Sequence, residues 1–245
     1  MKWEHEVSLD WMKTRQECLT ASDVVRLIPF TATGRPKTIK EEDYAKVCAN
    51  KMVTLTEDDC KSYGAAARGH ILEPYAIDVF NSTAGVYKLY HWDDVVISNP
   101  NIAGRYELAF SPDACNVKQG DVGHITVIGE VKSYNAERHY KALTSKKEDL
   151  EERWQIATAM ATLPTIETAY LIFFNPSFEC EDFRLGFFKY SRADLASEIK
   201  TVLEVHRNFN TWASGTLSRT SVCPSVKITE EEIIADLEAK AKLNP

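Results

Sequence analysis

Apolar residues recur three and four apart at Ile71, Leu72, Tyr75, Ala76, Val79 and Phe80, which predicts a helix over residues 65–80 with Glu73 at the edge of its apolar stripe. The same period runs through 11–28, interrupted at LTASD, where Thr20 or Ser22 is placed to cap a second short helix ahead of Pro29. Residues 31–38 read as a loop and 41–51 as a further helix. The period then changes. β-Branched and aromatic residues cluster at 86–90, 95–98, 106–110, 115–117 and 125–131, strand signals separated by turn residues. Residues 146–163 return to a helical pattern stopped by Pro164, TAYLIFF reads as a central strand ended by Pro176, and RLGFFKY as one more strand. Helices are expected at 192–209 and 230–243, the latter opened by a capping-box pattern from Thr229 to Glu232. This order predicts an α/β (α+β) fold, a central mixed sheet with helices on both faces.

Composition adds limits. A chain of 245 residues can bury one large core, and no composition shift marks a boundary, so a single domain over 1–245 is expected. With 44% apolar and 27% charged residues, no 18-residue apolar run and no signal-peptide pattern, the chain reads as a cytoplasmic protein with no membrane partner. The net charge of -7 opposes nucleic-acid binding unless basic groups are gathered locally. The six cysteines (Cys18, Cys48, Cys60, Cys115, Cys180, Cys223) show neither CxxC nor Cys/His spacing. They suggest reduced, mostly buried thiols, and no zinc or iron–sulfur site.

The chemistry gathers in SPDACNVKQGDVGHITVIGEVKS. Folding back through the turn at Gly120, Asp121 and Gly123 brings residue 113 opposite residue 130. Along HITVIGEVKS, strand alternation puts Ile125, Val127 and Val131 on one side, with Glu130 and Lys132 about 7 Å apart on the other. Asp113, Glu130 and the Val131 carbonyl are the oxygen donors a hard ion such as magnesium takes, and Lys132 is an ammonium able to steady charge on a phosphate. A solvated edge is the plain alternative, because Glu-x-Lys recurs at Glu198 and Glu238. Both fall in expected helices, where residues two apart do not face each other.

In order along the chain, WMKTRQECLTASD, RGHILEPYA, SPDA, GEVKS, RWQIATAMATL and FFNPSF resemble the motif blocks of the PD-(D/E)xK nucleases, within them the phage lambda exonuclease and YqaJ-like viral recombinase group. The resemblance spans 11–178, leaving 192–245 as C-terminal helices, and implies a restriction-endonuclease-like core. It implies Asp113 and Glu130 as metal ligands, Glu73 as the helix carboxylate completing the shell, Lys132 as the catalytic lysine and Gln155 as the glutamine holding the site. It implies Arg15 and Ser22 as the grip on a terminal 5′ phosphate. Read without it, Glu73 is an exposed helix-edge carboxylate, Ser22 a helix cap and Arg15 a solvated residue. The loop between Asp113 and Glu130 is longer than the family's, SPDA replaces SPDG, and QIA stands where a second glutamine is common.

After the lysine, SYNAERHYKALTSKK interleaves Arg138, His139, Lys141, Lys146 and Lys147 with Tyr134 and Tyr140. It reads as a basic DNA-facing loop, with Arg138 and His139 as phosphate contacts, or as a solvated mixed-charge segment. The resemblance implies a magnesium-dependent exonuclease, with manganese able to substitute, that digests one strand of duplex DNA from a 5′-phosphate end. It further implies a single-strand annealing partner in phage-type recombination and a ring-shaped homo-oligomer, a trimer favoured. An endonuclease on the same core, or a catalytically idle DNA-binding scaffold, are the rival readings.

Overall fold

The structure is a computed structural model that describes residues 3–31, 34–84, 87–147 and 151–219, the last three by backbone alone. From the N-terminus come β1 (Glu4–Glu6), α1 (Leu9–Glu17), β2 (Cys18–Thr20), α2 (Ala21–Leu27), α3 (Glu41–Asn50), β3 (Lys61–Tyr63) and α4 (Ala65–Ala84). A strand-rich stretch follows: β4 (Tyr90–His91), β5 (Ile97–Ser98), β6 (Glu107–Phe110), β7 (Ala114–Cys115) and β8 (Val127–Lys132). Then come α5 (Ala136–Thr144), α6 (Arg153–Thr162), β9 (Thr168–Phe174), β10 (Leu185–Ser191) and α7 (Ala196–Arg219). The chain divides into two compact units, Met1–Ala213 and Ser214–Pro245. Every element that builds the site lies in the first. The helix expected at 230–243, its capping pattern and Glu238 lie outside the described residues.

TAYLIFF takes the central place its unbroken apolar run calls for. β9 pairs parallel with β8 and antiparallel with β10 in a five-stranded sheet ordered β10-β9-β8-β7-β4. Helices cover both faces. On one, Leu72, Ala76, Ile77 and Phe80 of α4 pack on Val127, Val131, Tyr170 and Ile172. On the other, Ala142 of α5 and Trp154, Ile156, Ala157 and Met160 of α6 join Ile128, Ala169, Leu171 and Phe173. The period-two alternation of β8 and β9 divides the two cores. Val127 and Val131 take the α4 face as expected. Ile125 does not, because it precedes β8 at the end of a short 3-10 turn and joins the opposite core.

Several expectations need correction. The strands do not form one sheet: β6 leaves to make a three-stranded sheet ordered β2-β6-β5, parallel to β2 and antiparallel to β5. Pro112, which carries no N–H for a ladder, stands between β6 and β7 where the sheets part. β2 itself was hidden in a helical period; its residues Cys18, Leu19 and Thr20 are all buried. The cap of α2 is Thr20, whose N–H and hydroxyl both donate to Asp23, while Ser22 is exposed. The segment read as a basic loop is the helix α5, capped by the Asn135 side chain accepting from the Arg138 N–H at 2.9 Å. Among the described cysteines Cys18, Cys48, Cys60 and Cys115 are buried and free, and Cys180 is exposed. Among the described residues no helix is long and apolar enough to cross a membrane.

Candidate active site

The hairpin sets the geometry first. β7 pairs antiparallel with β8 at Ala114 to Gly129 and Cys115 to Ile128, so one more step of that register sets Asp113 against Glu130. The Asp113 carboxylate accepts from the Val131 N–H at 2.7 Å, and its carbonyl accepts from the Trp92 N–H at 3.0 Å. Glu130 and Lys132 share the face the alternation predicts, where Lys132 Nζ donates to Glu130 Oε1 at 2.6 Å. The decoy Glu198 lies on α7 and pairs instead with Arg153 at 3.4 Å.

These groups line a cavity of about 610 Å³ together with Arg15, Ser22, Glu73, Val131, Arg138 and Gln155. Arg15 comes from α1, Ser22 from α2, Glu73 from α4, Arg138 from α5 and Gln155 from α6. His139 is the exception. It is fully buried, its Nε2 lies 2.8 Å from the Phe183 carbonyl and its ring packs against Phe178. On α5 the neighbours Arg138 and His139 project in different directions, so only the arginine reaches the cavity. Reading the segment as a loop concealed this.

Charge is held under tension here. Burial raises the Asp113 carboxyl well above the usual carboxylate range, and Glu130 and Glu73 push the same way against Lys132 and the Val131 N–H. Burial would lower the Lys132 ammonium, but Glu130 and Asp113 outweigh it and raise it. Burial would likewise raise the Glu73 carboxyl, yet His70 and His91 bring it down to about 2. Burial lowers the Arg15 guanidinium against the pull of Asp23, Glu130 and Asp113. Arg15 donates to the Ser111 hydroxyl at 2.9 Å and stacks over Trp11 at 4.5 Å, so α1 is tied to the SPDA segment itself.

Sequence reasoning did not single out His70, His91 or Glu152. Ser111 and Ser133 are the terminal residues of the quoted motifs SPDA and GEVKS, where the sequence gives them no role. Tyr134 donates to Glu152, and Arg138 both bonds Glu152 at 3.1 Å and lies over the Tyr134 ring at 3.8 Å. The Gln155 Oε1, Ser133 Oγ and Trp11 Nε1 atoms are buried at the cavity without a hydrogen-bond partner. Such atoms cost stability unless something satisfies them.

Among the described residues no three His, Cys, Asp or Glu side chains already stand as a ready-made metal cage. Glu130 is turned onto Lys132 and Glu73 onto His70. The donor chemistry nonetheless suits a hard divalent ion: three carboxylates, two of which raise the cost of ionising Asp113, in a cavity with room for water and phosphate.

The architecture, a mixed α/β fold with helices covering both faces of its main sheet, is shared with solved structures. The solved structure of LHK-Exo in complex with dAMP has this fold, with a TM-score of 0.61 at 17% identity over 88% of this chain and 100% of that chain. A structure of the alkaline exonuclease LHK-Exo from Laribacter hongkongensis gives 0.56 at 18% identity over 86% and 99%. A phage-related exonuclease from Haemophilus somnus 129PT gives 0.47 at 13% identity over 83% and 96%. At these identities the likeness is one of fold. No protein-family model matches the chain, and no curated protein matches it in sequence.

Proposed function

We propose that the chain is a magnesium-dependent exonuclease that hydrolyses one strand of duplex DNA from a 5′ end, leaving single strand for an annealing partner. The observation that carries this reading is the meeting of Asp113, Glu130, Lys132 and Glu73 in one cavity. The alkaline exonuclease LHK-Exo, which shares the fold and in one of its structures is in complex with dAMP, supports it. Asp113, Glu130, Glu73 and the Val131 carbonyl would hold the ion, and manganese would substitute. When bound, the ion would supply a positive centre that offsets phosphate charge and acidifies water. Lys132 presents its ammonium to the charge that grows on the phosphate in the transition state. Gln155 offers its unpartnered oxygen to a water or sugar hydroxyl, and Arg138 exchanges Glu152 for a backbone phosphate. Arg15, already desolvated and braced by Ser111 and Trp11, takes the terminal 5′ phosphate with the exposed Ser22 hydroxyl.

End-labelled duplex DNA, incubated with and without magnesium, tests this. Mononucleotides are expected only with magnesium, and Asp113→Ala, Glu130→Ala or Lys132→Ala each lower the rate about 10²-fold or more. Duplexes with 5′ phosphates are degraded about tenfold to a hundredfold faster than those with 5′ hydroxyls, and Arg15→Ala removes the difference. Rapid nicking of covalently closed circles would identify an endonuclease instead. No cleavage with either metal would leave the scaffold reading.

A further inference from the structure

Glu73 differs from the other carboxylates of the cavity in how it is held. Asp113 and Glu130 sit on paired strands, whose backbone ladder fixes where their side chains begin. Glu73 comes from α4, and a glutamate on a helix face has three side-chain torsions to settle. Two imidazoles restrict it. His70, one turn earlier on α4, brings Nδ1 to 3.3 Å from Oε1. His91, at the end of β4, brings Nε2 to 3.8 Å from Oε2, too long for a hydrogen bond. That Nε2 is buried and has no hydrogen-bond partner.

Both rings are tied to the rest of the site. His91 pairs in register with Ala114, and the next residue, Trp92, donates its N–H to the Asp113 carbonyl at 3.0 Å. One short strand therefore touches Asp113 through its backbone and Glu73 through its side chain. His70 is backed by His5 of β1, stacked at 4.9 Å with the rings 15° apart. We propose that His70 and His91 are positioning residues that hold the Glu73 carboxylate, one ring on each oxygen, so that it completes a divalent-cation site with Asp113 and Glu130. This rests on reading the cavity as a cation-dependent nuclease centre. Outer partners of this kind fix ligand orientation, and their loss commonly costs about 10- to 100-fold in metal affinity.

The test is manganese binding by calorimetry on the full chain without DNA, with melting temperature measured alongside. His70→Ala and His91→Ala are expected to weaken binding about 10- to 100-fold while the metal-free proteins stay folded. His91→Gln keeps a donor toward Glu73 and recovers most of the affinity. In the magnesium-dependent assay, the magnesium needed for half-maximal rate rises more than the saturated rate falls. Parental manganese affinity in folded His70→Ala and His91→Ala overturns the proposal. So does a His91→Gln protein as weak as His91→Ala, since the imidazole would then be a ligand itself. If His91→Ala does not fold, His70→Ala and His91→Gln decide. The control is Asp113→Ala: if it binds manganese as the parent does, or the parent binds none, the proposed function fails and this inference with it. Loss of binding in Asp113→Ala with parental binding in the histidine variants removes this inference alone.

Discussion

At Asp113 the proposed metal-binding role and stability oppose each other within one side chain. Burial and two neighbouring carboxylates raise its cost of ionisation, and Lys132 and the Val131 N–H oppose them. Asp113→Asn keeps an oxygen to accept from the Val131 N–H and removes the charge. The metal-free variant is expected to melt about 2–4 °C higher, the shift that about 1 kcal/mol produces in a chain this size. It should cleave no DNA. Thermal unfolding in a chelator, set beside the end-label assay, checks both halves. Asp113, Glu130 and Lys132 were legible because a hairpin register and a period of two place residues without knowledge of anything else. His70 and Glu73 stand three apart on one helix, but their meeting with His91 was not legible, because it depends on how closely α4 approaches β4. No local pattern encodes that approach.

Among the elements, long periodic segments were the readable ones. α4, β9 and β10 fall close to where the apolar spacing puts them: α4 and β9 bury core faces, and β10 adds Tyr190 to the core. The short ones escaped. β2 is three residues long and exists because β6 offers it a parallel edge. α5 was misread because its charges drew attention from its Asn135 cap and from the apolar spacing of His139, Ala142 and Leu143. Pro74 is a separate case. It stands inside α4 rather than starting it, and it has no N–H to offer the His70 carbonyl, so the helix lacks a bond in the turn that carries His70 and Glu73. Pro74→Ala is expected to add about 1–3 kcal/mol of stability in urea unfolding. By tightening that turn it should also lower the magnesium-dependent rate. A faster enzyme, or one no more stable, would mean that the proline costs α4 nothing.

Across the whole molecule, two buried histidines connect the cores to solvent acidity. His139 of α5 lies within hydrogen-bond distance of the Phe183 carbonyl, and His206 of α7 of the Tyr106 carbonyl. Burial lowers both below the usual histidine value, with those carbonyls opposing it. The folded chain therefore keeps both rings neutral at a pH where the unfolded chain has protonated them. From about pH 6.5, the unfolded value, down through the lowered folded values, the unfolded state binds more protons and stability falls. The slope is at most about 1.4 kcal/mol per pH unit for each ring. His70 acts in the opposite sense: its contact with Glu73 raises it against burial, so it favours the folded state as pH falls and loses that contribution as pH rises through its folded value. Urea unfolding at pH 7 and pH 5 should show a smaller drop in midpoint for His139→Gln combined with His206→Gln than for the parent, whatever the two proteins' stabilities at pH 7. His70→Gln should steepen the drop. Equal drops in all three proteins would mean that the acid sensitivity of the fold lies in its carboxylates and not in these rings.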